Sequence, residues 1–335
     1  MKVLVVGDMR EGTNSKSTAA GHVAAGHTVR EVDTSWLFEG SRFSPRRWSV
    51  SKARIADPFG DARLAREIRE ATSGFAPDVV LAIKTIYFKQ EIVLDIPAER
   101  HVHLSFDDVS NPDNVSARYL AAEAEWDLVV TTKRHNCSEI EARGGRPYFM
   151  WAAYDPRYHR CDTEFSSRKY GIGFIGAARR DRIGLPSLLG SHFPGSSIVV
   201  GPRWERAYPR GVPGLEMRAA AMGTDYTIVA NSIKVGLVLL NSENRDQHTN
   251  RSIETPAVGQ LVLAQDTVEH RELFTHGESA LLFSSLEGAI RLAQQMREDP
   301  WTAARIAAAG TEKIRYGAHT YRDRAVQLAD ALGVS

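Results

Sequence analysis

Arg251 and Glu254 stand three residues apart in the segment Arg-Ser-Ile-Glu-Thr-Pro-Ala-Val-Gly, 251–259, which follows a polar run over 243–250. A helix starting near His248 to Arg251 would offer unpaired amides and a positive dipole end to an anion. A phosphate fits at His248, Thr249, Asn250 and Arg251, with Glu254 one turn inside and able to accept the diol of a ribose. The same pair equally suits an exposed helix ion pair. A second set of cations, Arg179, Arg180 and Arg182, follows Gly176. Guanidinium groups stay charged and present a fork that matches phosphate oxygens, so one or two of these could hold a diphosphate while the others are surface arginines.

The hydropathy pattern indicates what would hold these groups. Residues 225–232 read as a helix with Tyr226 near its start, 234–240 as an apolar strand, and 261–264 as a second strand ahead of Glu269 and His270. Strand, polar loop, short helix and strand make a β-α-β unit of a parallel sheet, which binds ligands at its carboxyl edge. A strand after Tyr170, straddled by glycines, brings Arg179, Arg180 and Arg182 to that edge. Gly171, Gly173 and Gly176 have dinucleotide-fingerprint spacing, but they straddle the strand instead of following it, which argues against an NAD-dependent oxidoreductase. Further strands are expected over 3–6, 28–32, 78–83, 101–104, 128–132, 148–151 and 197–200. Helices are expected over 15–25, 61–73, 91–94, 116–125, 185–189, 285–298 and 301–309. No tandem repeat is present, and the two halves share only their β/α alternation.

At 335 residues the chain is long enough for two domains. Its 42 Lys and Arg against 41 Asp and Glu leave a net charge of +1, which gives no support for a nucleic-acid surface. Cys137 and Cys161 have no metal-ligand spacing and form no disulfide framework, so a cytoplasmic location is expected. No apolar run is long enough for a membrane span. The stretch from Trp36 to Asp57, with Arg42, Phe43, Arg46, Arg47, Trp48, Lys52 and Arg54, reads as a solvated basic surface.

Arg251, Glu254, Pro256, Ala257 and Gly259, followed by Glu269, Leu273, Phe274, Gly277 and Glu278, resemble the donor-site signature of CgeB-type (spore-maturation-like) glycosyltransferases, relatives of the family 4 group. The resemblance extends over most of the chain beyond about residue 75. It implies the GT-B fold: two Rossmann-like, doubly wound α/β domains facing each other across a cleft. The expected division is 1–160 with a terminal helix 319–335 on the acceptor side, and 165–318 for the donor. It also implies a metal-independent, retaining transfer from a nucleoside diphosphate sugar such as a UDP-sugar to a small-molecule or glycan acceptor, without a cofactor. A nucleotide-sugar epimerase and a non-catalytic nucleotide-sugar binder are the alternatives.

On that reading the donor is held by Gly176, Tyr226, His248, Thr249, Asn250, Arg251, Glu254 and Glu269, and the acceptor side includes Asp8 and His103. The segment after residues 101–104 is similar to an acidic element of the family. Asp107 or Asp108 would orient sugar hydroxyls or act as a base, or the Asp-rich turn simply caps the next helix. Adjacent side chains on an extended segment point opposite ways, so no metal is expected there. The family pairs two acidic residues eight apart; here that position is Asp246, in a polar run, and the likeness is incomplete. Gly201 to Trp204 is similar to a glycine-tryptophan element, with the Trp expected to be buried, and His319 is expected to be structural.

Overall fold

The structure, a computed structural model, describes residues 1–38 and 57–334 and divides into two compact units. One comprises Met1–Trp151 together with the C-terminal segment from Tyr321; the other is Ala152–Thr320. The basic residues from Arg42 to Arg54 lie outside the described residues. Trp36, at the start of that stretch, is buried and donates its indole N–H to Glu67 at 3.1 Å.

In the first unit six parallel strands run in the order β2-β1-β3-β4-β5-β6: β1 (Lys2–Gly7), β2 (Thr28–Asp33), β3 (Val79–Ile83), β4 (Arg100–Ser105), β5 (Leu128–Thr131) and β6 (Pro147–Phe149). The central strands are apolar on both faces because helices cover both, so β3 reads Val-Val-Leu-Ala-Ile with every residue buried. Helix α1 (Asn14–Ala24) follows β1. The last helix, α2 (Tyr321–Leu332), returns to pack on it. Gly21 makes this possible, since a Cβ there would stand 2.4 Å from the carbonyl oxygen of Tyr321.

The second unit repeats the plan with the order β12-β11-β10-β7-β8-β9, all parallel: β7 (Tyr170–Ile175), β8 (Ser197–Val200), β9 (Leu215–Arg218), β10 (Ile233–Val238), β11 (Leu261–Gln265) and β12 (Leu281–Phe283). The chain winds outward from β7 through β8 to β9 and then starts again on the other side with β10, so the topological switch point lies between β7 and β10. Gly173 and Gly236 are partners across that pair. Side chains there would meet Ile233 at 2.6 Å and Gln260 at 2.3 Å, so neighbouring side chains already fill the space over the sheet centre. Strand β9 is an element the hydropathy pattern did not announce.

The division falls at Trp151, so residues 152–160 belong to the second unit instead of the first. The reason is hydrogen bonding within that unit. Tyr154 N–H donates to His319 at 2.9 Å, the Thr227 hydroxyl to Tyr158 at 2.7 Å, and the Asn231 side chain to Arg160 at 2.9 Å. Among the described residues no helix is long and apolar enough to cross a membrane.

Candidate functional site

The switch point of the second unit gathers three segments: the exit of β7, the exit of β10, and helix α3 (Asn250–Ala257). Thr249 is the N-cap. Its side chain takes the Ser252 amide while its own N–H donates to Ser252 Oγ at 3.0 Å, so the helix begins on a capping box. The Ser252 amide is thereby spent, and any anion there is left with the half-buried first turn at Asn250 and Arg251.

Arg251 leans back onto the end of β7, donating Nε–H to the carbonyl of Ile175 at 3.2 Å. Its guanidinium lies over the Tyr226 ring, 4.6 Å from the centroid, and pairs with Glu254 one turn on. Glu254 is 5% exposed and Tyr226 is 4% exposed, so both lie beneath the Arg251 side chain. A further group closes the cluster. His159 is buried, its ring is edge-on to Tyr226 at 5.0 Å, and its Nε2 is 3.5 Å from a Glu254 oxygen. Nδ1 lies within hydrogen-bonding reach of both the N–H of Asp155, at 2.9 Å, and its carbonyl, at 3.1 Å, while Nε2 faces the carboxylate. Burial, then the Arg251 charge, lower the His159 pKa to about 3, so the ring is neutral at physiological pH.

A second buried relay steadies the start of α3. His248 Nε2 accepts the Ala152 N–H at 3.2 Å, so Nδ1 carries the proton and donates to Glu269 at 2.5 Å. His270 donates from Nδ1 to the Gln265 carbonyl at 2.6 Å and accepts the Ser252 hydroxyl on Nε2 at 2.7 Å. Burial lowers the His270 pKa to about 4. His248 and Glu269 are thus beneath the surface that Thr249, Asn250 and Arg251 present, and they hold the helix start without reaching a ligand.

The three arginines after β7 separate. Arg182 is buried, donating to the carbonyls of Leu239 at 3.4 Å and Leu240 at 2.6 Å and to Asp181 at 3.1 Å, and lying over the Phe174 ring. Its charge serves the backbone that leaves β10, which removes it from the diphosphate candidates. Arg179 is partly exposed and pairs with Glu243 at 2.7 Å, and Arg180 is exposed. Gly176 accepts the Trp204 indole N–H at 2.8 Å, and Trp204 is 1% exposed, buried as its sequence context suggested.

Asp246 holds its own loop, accepting the Asn241 amide at 3.1 Å. A pocket of about 580 Å³ opens beside it over the ends of β10, β11 and β12, lined among others by Arg182, Asp246, Gln265, Thr267 and Ser285. The sequence reading did not anticipate this pocket.

In the first unit the acceptor-side residues fare differently. Asp8 follows β1, where its carboxylate pairs with Arg10 and its carbonyl accepts the Thr13 hydroxyl at 2.6 Å. His103, on β4, is 0% exposed. Its ring lies 4.4 Å from that of Tyr119 and 5.4 Å from that of Trp126, and burial lowers its pKa to about 3. An acceptor cannot touch a side chain so enclosed, and His103 is a core residue. Asp108 is likewise buried, accepting from Asn136 at 2.8 Å and from the Ser110 amide at 2.9 Å. That fixes the turn and takes Asp108 off the surface. Asp107 points the other way and pairs with Lys84. Burial opposes the Lys84 charge, but Asp107 and Tyr87 outweigh it and raise the lysine pKa. Among the described residues no group of three or more His, Cys, Asp or Glu could hold a metal ion.

Residues 184–330 match the family model described as glycosyl transferase-like. No curated protein matches the chain. Over 99% of its length the chain is similar to three solved structures. The Anabaena HepE complex with UDP-glucose shares 14% identity over 99% of that chain, with a TM-score of 0.67. Sucrose-phosphate synthase from Thermosynechococcus elongatus shares 11% over 98%, with a TM-score of 0.67. The α,α-trehalose 6-phosphate synthase of Burkholderia multivorans shares 10% over 98%, with a TM-score of 0.63. Likeness at such identities is one of fold, and the two six-stranded parallel sheets with their flanking helices have the GT-B architecture of these structures.

Proposed function

From a chain of GT-B fold that matches a glycosyl transferase-like family model over residues 184–330, we propose an enzyme that moves a sugar from a nucleoside diphosphate sugar to an acceptor. The observation that carries the reading is the Arg251–Glu254 pair at the β7/β10 switch point, beside the capped start of α3. The Anabaena HepE complexes with UDP, UDP-glucose, and UDP with glucose support the donor class.

Glu254 accepts hydrogen bonds from the ribose diol, and Arg251 moves its fork from Glu254 to a phosphate oxygen as the donor enters. The exchange swaps one anionic partner of Arg251 for another while the carboxylate gains two hydroxyl donors, so neither charge is left bare. Arg179 and Arg180, with the first amides of α3, stabilise the departing diphosphate, where negative charge grows in the transition state. Guanidinium groups do this in place of a divalent ion, so the transfer needs no metal and no cofactor. Resemblance to the CgeB type and to family 4 supports retention of the anomeric configuration. On the first unit we assign the acceptor to the exits of β1 and β4, with Asp8 and the exposed edge of Asp107. The free thiols of Cys137 and Cys161 support a cytoplasmic location.

A melting-temperature panel of nucleoside diphosphates and their sugars tests the reading, because a ligand that binds only the folded chain raises its midpoint. One nucleoside diphosphate and its sugars should stand out, and that sugar should then move to an added acceptor. Donor isomerised without acceptor would replace transfer by epimerisation, and binding without turnover would leave a nucleotide-sugar binder.

A further inference from the structure

The exits of β7 and β8 are fastened together. Gly201 follows β8 directly, and a Cβ on it would stand 2.1 Å from the carbonyl oxygen of Gly176, so the two backbones touch. The Trp204 indole donates to that same oxygen at 2.8 Å, and the Ala178 amide donates to Pro202 at 3.1 Å. Four arginines line one pocket on this joined platform. Arg179 and Arg180 come from the first loop and Arg203 and Arg206 from the second; the pocket measures about 350 Å³ and Glu243 is its carboxylate.

Four cations less one carboxylate leave three charges uncompensated around a small volume. Arg179 has Glu243, but the guanidinium groups of Arg180, Arg203 and Arg206 make no hydrogen bond or ion pair among the described residues. Arg203 is moreover held in the left-handed backbone region, at φ 72°. That conformation costs a bulky residue free energy and clusters where side chains clamp ligands. Like charges lining one pocket without partners repel one another, and an anion with several oxygens relieves that repulsion.

We propose that this pocket is a phosphate-binding site in which Arg203 and Arg206 act beside Arg179 and Arg180. Guanidinium forks match the oxygens of a phosphate two at a time, and forks arriving from two fastened loops enclose it without reorganising the backbone. The site requires an anion and not sugar transfer, and it is separate from the ribose position at Glu254. The phosphate is either part of the donor diphosphate or a phosphomonoester on the second substrate; the recognising chemistry is the same.

Calorimetric titration of inorganic phosphate, UDP and glucose 6-phosphate into the full chain separates these sources. The variants are Arg203→Gln/Arg206→Gln, Arg203→Lys/Arg206→Lys and Glu254→Gln. Because both arginines are exposed, the Gln pair should melt as the unaltered chain does. It should bind inorganic phosphate at least about tenfold more weakly, with the Lys pair intermediate. Glu254→Gln frees Arg251 and should not weaken phosphate binding. A matching loss for UDP assigns the group to the donor, and a matching loss for glucose 6-phosphate assigns it to the second substrate. A Gln pair that binds all three anions as the unaltered chain does overturns the site, whatever Glu254→Gln does to UDP. Failure of the unaltered chain to bind any of the three overturns it as well.

Discussion

Glu254→Gln keeps the shape of a buried side chain while removing its charge, and two effects should part company. On stability, the variant strips Arg251 of its carboxylate, but that arginine keeps the Ile175 carbonyl and the Tyr226 ring and is 32% exposed on its side chain. Breaking a fully buried pair costs about 3–5 kcal/mol and an exposed one less than about 1, so roughly 1–2 kcal/mol is expected here. On donor binding, a carboxylate accepting from ribose hydroxyls makes charge-assisted bonds worth about 1.5–3 kcal/mol, a loss of roughly 10- to 150-fold in affinity. Calorimetry with UDP and 2′-deoxy-UDP on both proteins isolates that term. The unaltered chain should prefer UDP, and the Gln variant should bind both nucleotides equally weakly. If both proteins show the same preference for UDP, or neither shows any, Glu254 only anchors Arg251 and the ribose assignment falls.

Arg182→Ala should lower stability by about 1–3 kcal/mol in urea melts, since it leaves the Leu239 and Leu240 carbonyls without their donor, whereas Arg180→Ala should melt normally and slow turnover. The reverse pattern would return Arg182 to the diphosphate. His103→Phe should retain activity and flatten the acid limb of stability. The unfolded chain takes up a proton below about pH 6.5 that folded His103 refuses until about 3, so this group costs about 2 kcal/mol between pH 7.5 and 5. Urea midpoints across that range check the slope, and an unchanged slope would mean the ring is not sealed. Turnover in EDTA should equal turnover without it, and loss restored by a divalent ion would contradict the metal-free proposal.

The alternation of strands and helices was legible because parallel strands covered on both faces are continuous apolar runs, as in 79–83 and 235–240. Strand β9 was not, since Leu-Glu-Met-Arg is four residues with polar side chains on a sheet edge. The Arg251–Glu254 pair followed from helical spacing. The role of Arg182 could not, because its carbonyl partners come 57 and 58 residues later and carry no side-chain signature. The place of His159 beside Glu254 could not be read either, since it depends on where residues 152–160 fold. For His103 a cue was present. A histidine between Val102 and Leu104 in a central strand of a doubly wound sheet belongs to the core whichever way it points, and reading it as a surface group neglected the helix layers on both faces.

The most direct measurement is a crystal of the chain grown with a nucleoside diphosphate that raises its melting point. The ribose should lie on Glu254, with the phosphates at the first turn of α3 and against the arginines after β7. Density for the nucleotide anywhere but that sheet edge, with the Arg251–Glu254 pair still closed, would contradict the account.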